Sequence, residues 1–476
     1  MRGLGWVVVV IALAGAGPAL ARGFDGRTLH VADGRLVDKG GREITLRGVN
    51  ARAEGIFDVT FDDGRLPLEA IPTFDAGDVE RMRDLGFNLL RLPINWSALE
   101  PKQGHYSRSY LRRIAKVVAR CGKRDVAVLL DFHQDAFSKE IGQDGAPRWV
   151  LDLLLGPDGY PYLGGPLEDL TDRRLAPHTI QAFVRFDANE QGVQDLFGKA
   201  AAVVAKRFRR SRAVVGYEIM NEPLATPDAA GEAQLLALHV RVAEAIRRVD
   251  AGHLVVFEPN AFRNFFNEAP KPSAPFPDPQ ALYAPHIYTY VFDGQTFTGD
   301  TTALADSMQK AANEAAAWGT PLFVGEYGID PTHPLANEWI TASLDLQDQL
   351  RAHSTFWLWE EISSGHWGLF EGESSEPGGE RPARILALSR PYARAVPGRV
   401  LEHTVDPATS ALRLRWQGSG RGDVEIYVAP RRFPNGVTIT CDGAPVDVTP
   451  GALDHAARFR CGARDVEHVV EVVPAS

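Results

Sequence analysis

The chain reads as an α/β protein, a closed (β/α)8 barrel followed by a small antiparallel β-sandwich, and three observations predict it. Short apolar, β-branched runs alternate with helix-period stretches until eight βα units are complete, and eight such units close a barrel rather than an open sheet. Most of those runs end in polar residues at their C-terminal ends, where a TIM barrel keeps its chemistry. Past Val396-Pro397-Gly398 the helical period vanishes and alternation of apolar and polar residues replaces it.

Length and composition agree. At 476 residues the chain is too long for one ordinary domain and suits a large one plus a small one. A hydrophobic content of 45% supplies a core, and 24% charged residues is ordinary. The net charge of −10 argues against non-specific binding to nucleic acid or anionic lipid. It leaves open a hydrophobic, peripheral contact with a lipid surface. Residues 1–21 have the form of a secretory signal: Arg2, an apolar stretch from Trp6 to Gly17, and Ala19-Leu20-Ala21 as a small-x-small cleavage site. The alternative, a membrane anchor, is disfavoured because the apolar run is shorter than roughly 18 residues. The expectation is a secreted protein cut after about Ala21, with a barrel over 22–395 and a sandwich over 396–476.

Taken in order, Leu29-His30-Val31 and Leu36-Val37 flank Asp33-Gly34, a hairpin signal, and this hairpin is expected to plug the bottom of the barrel. A strand follows at 44–50, then a helix at 78–85 with Asp78 near its start and Gly86 as its stop. Strands at 87–94, 126–133 and 214–222 alternate with helices at 109–119 and 189–208. The second half runs helix 231–249, strands 254–260 and 282–288, helix 302–318, strand 321–328, helix 337–353 and strand 354–360. A helix over 384–395, broken by Pro391, closes the barrel. The tail alternates at 412–416, 424–428, 437–441 and 466–473. Its expected role is structural, packed on the barrel, with sugar or lipid-surface contact as the other option. Cys441 and Cys461 lie close enough in this tail to pair in an oxidising compartment, whereas Cys121 ends an amphipathic helix as a buried thiol.

The strand ends carry Arg91, Asp131-Phe132-His133-Gln134-Asp135, Asn221-Glu222, His286-Ile287-Tyr288, Glu326 and Trp357-Leu358-Trp359-Glu360. Any one of these could merely satisfy the polar rim of a barrel. Six polar-ended strands converging on one mouth point to chemistry. Glycoside hydrolysis needs two carboxyl groups, one to protonate the leaving oxygen and one to attack the anomeric carbon. Glu222 and Glu326, on the fourth and seventh strands, would face each other across the mouth. Glu222 beside an anionic Glu326 should have its pKa raised, which suits an acid. Arg91 would keep Glu326 ionised, Tyr288 could orient it, Asn221 would meet a sugar 2-hydroxyl, and Trp359 could form an apolar platform under a ring.

In this order Arg91, His133, Asn221-Glu222, His286, Tyr288, Glu326 and Trp359 resemble the functional pattern of glycoside hydrolase family 5. The resemblance implies Glu222 as acid/base and Glu326 as nucleophile of a retaining double displacement, with Arg91, His133, Asp135, Asn221, His286, Tyr288 and Trp359 around the substrate. It implies no cofactor and no metal. A closer resemblance, to the endoglycoceramidases of that family, rests on Asp131–Asp135 with Ser138, Gly145-Ala146-Pro147 with Trp149, Ala182-Phe183 with Phe186, and the run Arg390-Pro391-Tyr392-Ala393-Arg394-Ala395-Val396-Pro397-Gly398. It implies a glycosphingolipid substrate cut between intact glycan and ceramide. The charged segment from Asn50 to Asp58, with Asp62-Asp63-Gly64-Arg65, is similar to the endogalactosylceramidase subgroup, which favours galactose joined to ceramide.

Two loops support a lipid leaving group on their own composition. The insertion 137–186 carries Trp149, Val150, Leu151, Leu153, Leu154, Leu155, Tyr160 and Tyr162, and the loop after the fifth strand carries Phe262, Phe265 and Phe266. Apolar loops at a catalytic face can form a groove for acyl chains, or they can simply pack on each other. Two other functions stay open: a family relative cutting polysaccharide or a small β-glucoside, and a non-catalytic glycan- or lipid-binding protein, which would not need both glutamates with Arg91 and Tyr288.

Overall fold

The computed structural model describes residues 25–475 apart from 162–169, 268–270, 272–273, 362–366, 372–378, 419–421, 451–454 and 463–464. The expected signal at 1–21 and Tyr162 lie outside the described residues, as does the side chain of Phe265. Among the described residues no helix is long and apolar enough to cross a membrane.

The chain begins with the predicted hairpin, β1 (His30–Ala32) and β2 (Arg35–Val37). Asp33 and Gly34 both take positive φ, 51° and 69°, as the tight turn between twisted strands requires. After β3 (Glu43–Ile44) the barrel strands follow: β4 (Arg47–Asn50), β5 (Leu89–Ile94), β6 (Ala127–Phe132), β7 (Val214–Glu218), β8 (Leu254–Phe257), β9 (Ala281–Tyr283), β10 (Phe323–Tyr327) and β11 (His353–Phe356). They form one parallel sheet in the order β10-β11-β4-β5-β6-β7-β8-β9. Parallel bridges Tyr283↔Leu322 and Ile287↔Tyr327 join its two ends and close the barrel. The helices are α1 (Ala76–Asp84), α2 (Trp96–Leu99), α3 (Arg108–Gly122), α4 (Arg148–Leu155), α5 (Leu170–Arg174), α6 (Pro177–Asp187), α7 (Val193–Phe208), α8 (Ala229–Arg247), α9 (Phe262–Phe265), α10 (Thr302–Ala317), α11 (Ala336–Leu350) and α12 (Pro382–Leu388). α1, α3, α7, α8, α10 and α11 bury one face each against the strands in a single continuous core. A second cluster, with Leu89, Leu129, Val215, Leu254 and Phe323 from the strands and Leu29 and Leu36 from the hairpin, fills the N-terminal end of the barrel. The hairpin therefore closes the bottom.

The C-terminal region is a sandwich of two antiparallel sheets around Val400, Leu414, Trp416, Val424, Ile426 and Val470. One element differs from expectation. The chain over 384–395 is not a broken helix: α12 stops at Leu388, and after Pro391 the segment Tyr392–Val396 is a strand, β12, buried at all five positions. It pairs with β3 on one side and with Val424–Tyr427 on the other, so the N-terminal hairpin and the tail share one sheet. Pro391 does end the helix, as its missing N–H requires. What local pattern could not reveal is a partner strand over 300 residues earlier, as the register Ala395↔Ile44 shows.

The sandwich is tied to the end of α1. Tyr392 OH and Arg394 Nη2 both donate to Gly86 O, at 2.7 and 3.1 Å, and Tyr427 OH donates to Asp84 O. Gly86 has φ +94°, and a Cβ there would stand 2.5 Å from the Tyr427 ring, so glycine is both the helix stop and the seat of this contact. Cys441 and Cys461 form a disulfide, and Cys121 is a buried free thiol.

Candidate active site

Arg91, at the third position of β5, is the hub of the barrel mouth and is wholly buried. Its Nε donates to Glu218 Oε2 at 2.7 Å. Nη1 donates to Asn50 Oδ1 at 2.9 Å and Glu326 Oε1 at 2.7 Å, and Nη2 to Asn221 Oδ1 at 2.9 Å. Nη2 also faces Asp131 Oδ2 at 3.2 Å and Glu258 Oε1 at 3.3 Å. One planar guanidinium thus organises acidic groups from β6, β7 and β10 and from the end of β8, a task for its fixed fork of donors rather than for a lysine.

Glu326 sits on β10 with both oxygens engaged: Oε1 accepts from Arg91 and Oε2 from Tyr288 OH at 2.8 Å. These bonds fix the plane of the carboxylate. Glu222 enters from the other side. β7 ends at Glu218, four residues before the expected end, and Asn221 and Glu222 lie in the turn beyond it. Glu222 takes φ +40°, a conformation costing on the order of 1–3 kcal/mol for a non-glycine residue and typical of functional positions. Its backbone N–H donates to Glu258 Oε2 at 3.1 Å, and its carbonyl accepts from Gln134 Nε2 at 2.9 Å. Its side-chain Oε1 lies 2.9 Å from His286 Nδ1, and Oε2 lies 3.6 Å from Arg174.

His286 stands between the two glutamates: Nδ1 is also 3.5 Å from Glu326 Oε2, and one atom from each of the three side chains lies within 4.8 Å of the others. The ring fits against β10 because residue 325 is glycine, where a Cβ would approach His286 Nε2 to 2.9 Å. Burial works against the imidazolium, but Glu258 and Glu326, with the bond to Glu222, hold His286 well above its ordinary pKa. The Glu222 carboxyl moves opposite to expectation. Burial raises it, yet the His286 bond and the Arg174 charge outweigh burial and bring it below the usual carboxylate range. The raised pKa expected from sequence reflects the neighbouring Glu326 alone, whereas the fold brings His286 and Arg174 to the same carboxyl.

The remaining predicted residues divide. His133 is in the mouth, with Nδ1 2.6 Å from Asp131 Oδ2 and its ring stacked on Trp357 at 5.6 Å and 6°. Asp135 is buried and ion-paired to Arg174. Asn221 has its amide oxygen on Arg91 and one amide N–H on Gln134 O. Trp359 is not at the mouth. It is 1% exposed, packed edge-on against Phe370, with Nε1 donating to Asp78 Oδ1 at 3.2 Å. β11 ends at Phe356, so the residue that emerges beside His133 is the half-buried Trp357. Its peptide bond to Leu358 is cis.

Sequence reasoning also missed Glu218, Glu258 and Arg174. A signal for Glu258 was present: Phe257-Glu258-Pro259 repeats the glutamate-proline end seen at Glu222-Pro223. Arg174 comes from α5 inside the long insertion, and nothing local marks it. The apolar run of that insertion is mostly spent on its own packing, with Val150, Leu151, Leu154 and Tyr160 in the core and Leu153 exposed. Exposed aromatic surface arises elsewhere, at Phe266 and at Phe292, which stacks on Trp367 at 5.4 Å beside Tyr288. The charged segment after β4 is pinned by Arg52 to Glu69 and Glu361 and by Lys139 to Asp58. Its Phe57 ring lies 5.7 Å from His133, which sets it on the Trp357 side of the mouth.

Residues 38–363 match the family described as cellulase (glycosyl hydrolase family 5), and residues 390–472 match the glycoside hydrolase family 5 C-terminal domain. The chain is similar to endoglycoceramidase I of Rhodococcus hoagii, 28% identical over 457 residues that cover 89% of this chain and 84% of that one. It superposes on a lactosyl-enzyme intermediate of endo-glycoceramidase II from Rhodococcus sp. with a TM-score of 0.77 and 28% identity, over 93% of this chain and 100% of the other. An endogalactoceramidase structure gives 0.76 and 28%, over 94% and 99%.

Proposed function

The chain belongs to glycoside hydrolase family 5 and is a retaining glycoside hydrolase, and from that premise we propose that it hydrolyses the bond between an intact oligosaccharide and ceramide in glycosphingolipids. Glu326 is the nucleophile and Glu222 the acid/base. The observation that carries the mechanism is the meeting of both carboxyls at one imidazole, within 4.8 Å. Retaining enzymes hold their carboxyl groups roughly 5–5.5 Å apart, too close to admit a water between them. Glu222 gives a proton to the leaving oxygen while Glu326 attacks the anomeric carbon. Water then enters on the leaving-group side, loses a proton to Glu222, and releases the sugar from Glu326 with its configuration retained. Arg91 and Tyr288 hold the attacking carboxylate in line, Asn221 meets the 2-hydroxyl, and Trp357 lies under a sugar ring next to His133.

A ceramide leaving group is supported by the aromatic surface of Phe292 and Trp367 next to Tyr288 and by the exposed Phe266, with the related proteins named above. A preference for galactose linked to ceramide rests on the charged segment over Arg52–Arg65, set against His133. We further propose export after cleavage near Ala21, and contact with a lipid surface through the exposed aromatic rim. The test is product analysis by mass spectrometry on glucosylceramide, a lactosyl-type ganglioside, a galactose-linked ceramide glycan, and cellulose and mannan fragments. Intact glycan plus intact ceramide supports the proposal, and the lipid that reacts defines the sugar preference. Cleavage of the polysaccharide fragments alone would refute the lipid substrate and leave a family 5 glycanase.

A further inference from the structure

Glu258 follows directly on β8, and its carboxyl is wholly buried. A buried carboxyl is costly unless its environment holds it, and here the catalytic groups themselves do so. Oε2 accepts the Glu222 backbone N–H at 3.1 Å. Oε1 faces Arg91 Nη2 at 3.3 Å and His286 Nε2 at 3.2 Å, the latter off the line of a full hydrogen bond. On the other side of the same ring, Nδ1 faces Glu222 Oε1 at 2.9 Å and Glu326 Oε2 at 3.5 Å. His286 is thus enclosed by three carboxyl groups. The charged groups around Glu258 are Arg91 of β5, Glu218 of β7 and His286 beyond β9, while His239 of α8 meets only its backbone carbonyl, at 2.9 Å. A glutamine would serve the Glu222 N–H and fill the same space. What the carboxyl adds is an ionisable neighbour for the imidazole.

We propose that Glu258 is a positioning residue that keeps the acid/base supplied with its proton: with His286 it forms a proton store, from which Nδ1 passes the proton to Glu222 once substrate is seated. This rests on Glu222 being the acid/base. In the first half-reaction the proton goes from His286 Nδ1 to Glu222 Oε1 and on to the glycosidic oxygen. The bond from that oxygen to the anomeric carbon breaks, a Glu326 electron pair forms the ester, and the alcohol leaves neutral. The negative charge at Glu326, 3.5 Å from Nδ1, disappears in the same step, so the imidazole loses a reason to hold its proton as it gives it up. In the second half Glu222 takes a proton from water as the water oxygen attacks the anomeric carbon and Glu326 leaves as carboxylate. Its returning charge draws that proton from Glu222 back onto His286. The directions for the ring and the acid agree: Glu258 and Glu326 hold His286 above its ordinary range, and the His286 bond helps hold Glu222 below. Burial pushes the Glu258 carboxyl up while His286 and Arg91 pull it down, so ring and carboxyl share the proton they store.

The test compares wild type, Glu258→Gln and Glu222→Ala on two β-glycosides of one sugar, lactose or galactose as the glycolipid panel directs. One carries octanol, which leaves only when protonated, and the other 2,4-dinitrophenol, which leaves unaided. For E258Q, kcat/KM on the octyl glycoside should fall at least about tenfold, with the alkaline limb moved to lower pH. The first step on the dinitrophenyl glycoside should stay within about threefold, since general acid help is not needed there. An unmoved alkaline limb, or equal losses on both substrates, would overturn the proposal. If E258Q does not fold, His286→Asn takes its place in the same comparison, and equal losses again overturn it. E222A separates the two levels of the argument. If it shows no dependence on the leaving group, the acid/base assignment fails. If it does and E258Q does not, the proton store alone fails.

Discussion

Trp357 and Trp359 lie two residues apart, one at the mouth and one buried, and a pair of substitutions tests whether their roles differ accordingly. Trp359→Phe removes the indole Nε1 donor to Asp78 and leaves a void where the larger ring was. The void is roughly 40 Å³, worth about 1 kcal/mol at the usual cavity cost. The lost hydrogen bond from the indole to the Asp78 carboxylate adds about 1.5–3 kcal/mol. W359F should therefore lose about 2–4 kcal/mol of stability, a fall in Tm of about 2–5 °C for a chain of this size, and keep its kcat/KM. Trp357→Ala should instead show its main loss in kcat/KM. Its ring is half-buried and stacks on His133, so the truncation also costs about 1–3 kcal/mol of stability. Removing the apolar contact with a sugar face should take about 1.5–3 kcal/mol from the transition state, roughly ten- to hundredfold in kcat/KM. Thermal unfolding and steady-state kinetics on one glycolipid read both effects. A W359F variant that is stable but inactive, paired with an active W357A, would refute this reading of the eighth strand.

Other consequences follow from the same contacts. Tyr288→Phe removes the hydroxyl that donates to Glu326 at 2.8 Å, a bond to a charged group worth about 1.5–3 kcal/mol, so kcat/KM should fall roughly ten- to hundredfold with the fold intact by circular dichroism. Arg174→Ala removes a cation 3.6 Å from Glu222 and so raises that carboxyl's pKa. The acid form then survives to higher pH, and the alkaline limb of kcat/KM should move up, opposite to the shift expected for E258Q; a downward shift would contradict the placement of Arg174. Cys461→Ser opens a loop of 20 residues, which should cost the sandwich about 3 kcal/mol, visible in urea unfolding while glycosidase activity before the transition stays unchanged.

Much of the barrel was legible because its strands are buried on both faces and read as apolar runs, and because its chemistry collects at strand ends. The errors come from the same source. Apolarity continues past the last ladder bond, so the strands expected to end at Glu222 and Glu360 end at Glu218 and Phe356. That overshoot did no harm at Glu222, which the following turn brings back to the mouth, but it put the expected platform on Trp359, which is buried, rather than on Trp357, which emerges beside His133. Glu258 was left out of the polar strand ends, although Glu258-Pro259 carries the same punctuation as Glu222-Pro223. Arg174 and the sheet shared by the hairpin and Tyr392–Val396 depend on contacts between distant segments, which no local period encodes. The electrostatics failed for a related reason: the pKa of Glu222 is set by His286 and Arg174, and only the folded chain brings either cation to it.

The proposed mechanism requires Glu326 to form the covalent bond. A 2-fluoro glycoside of the preferred sugar with a dinitrophenyl leaving group should inactivate the protein with release of one phenolate per chain. Proteolysis and mass spectrometry should then locate the fluoroglycosyl ester on Glu326, in the peptide containing Phe323–Tyr327. An adduct on Glu222, or turnover with inverted anomeric configuration and no adduct, would contradict the assignment at its centre.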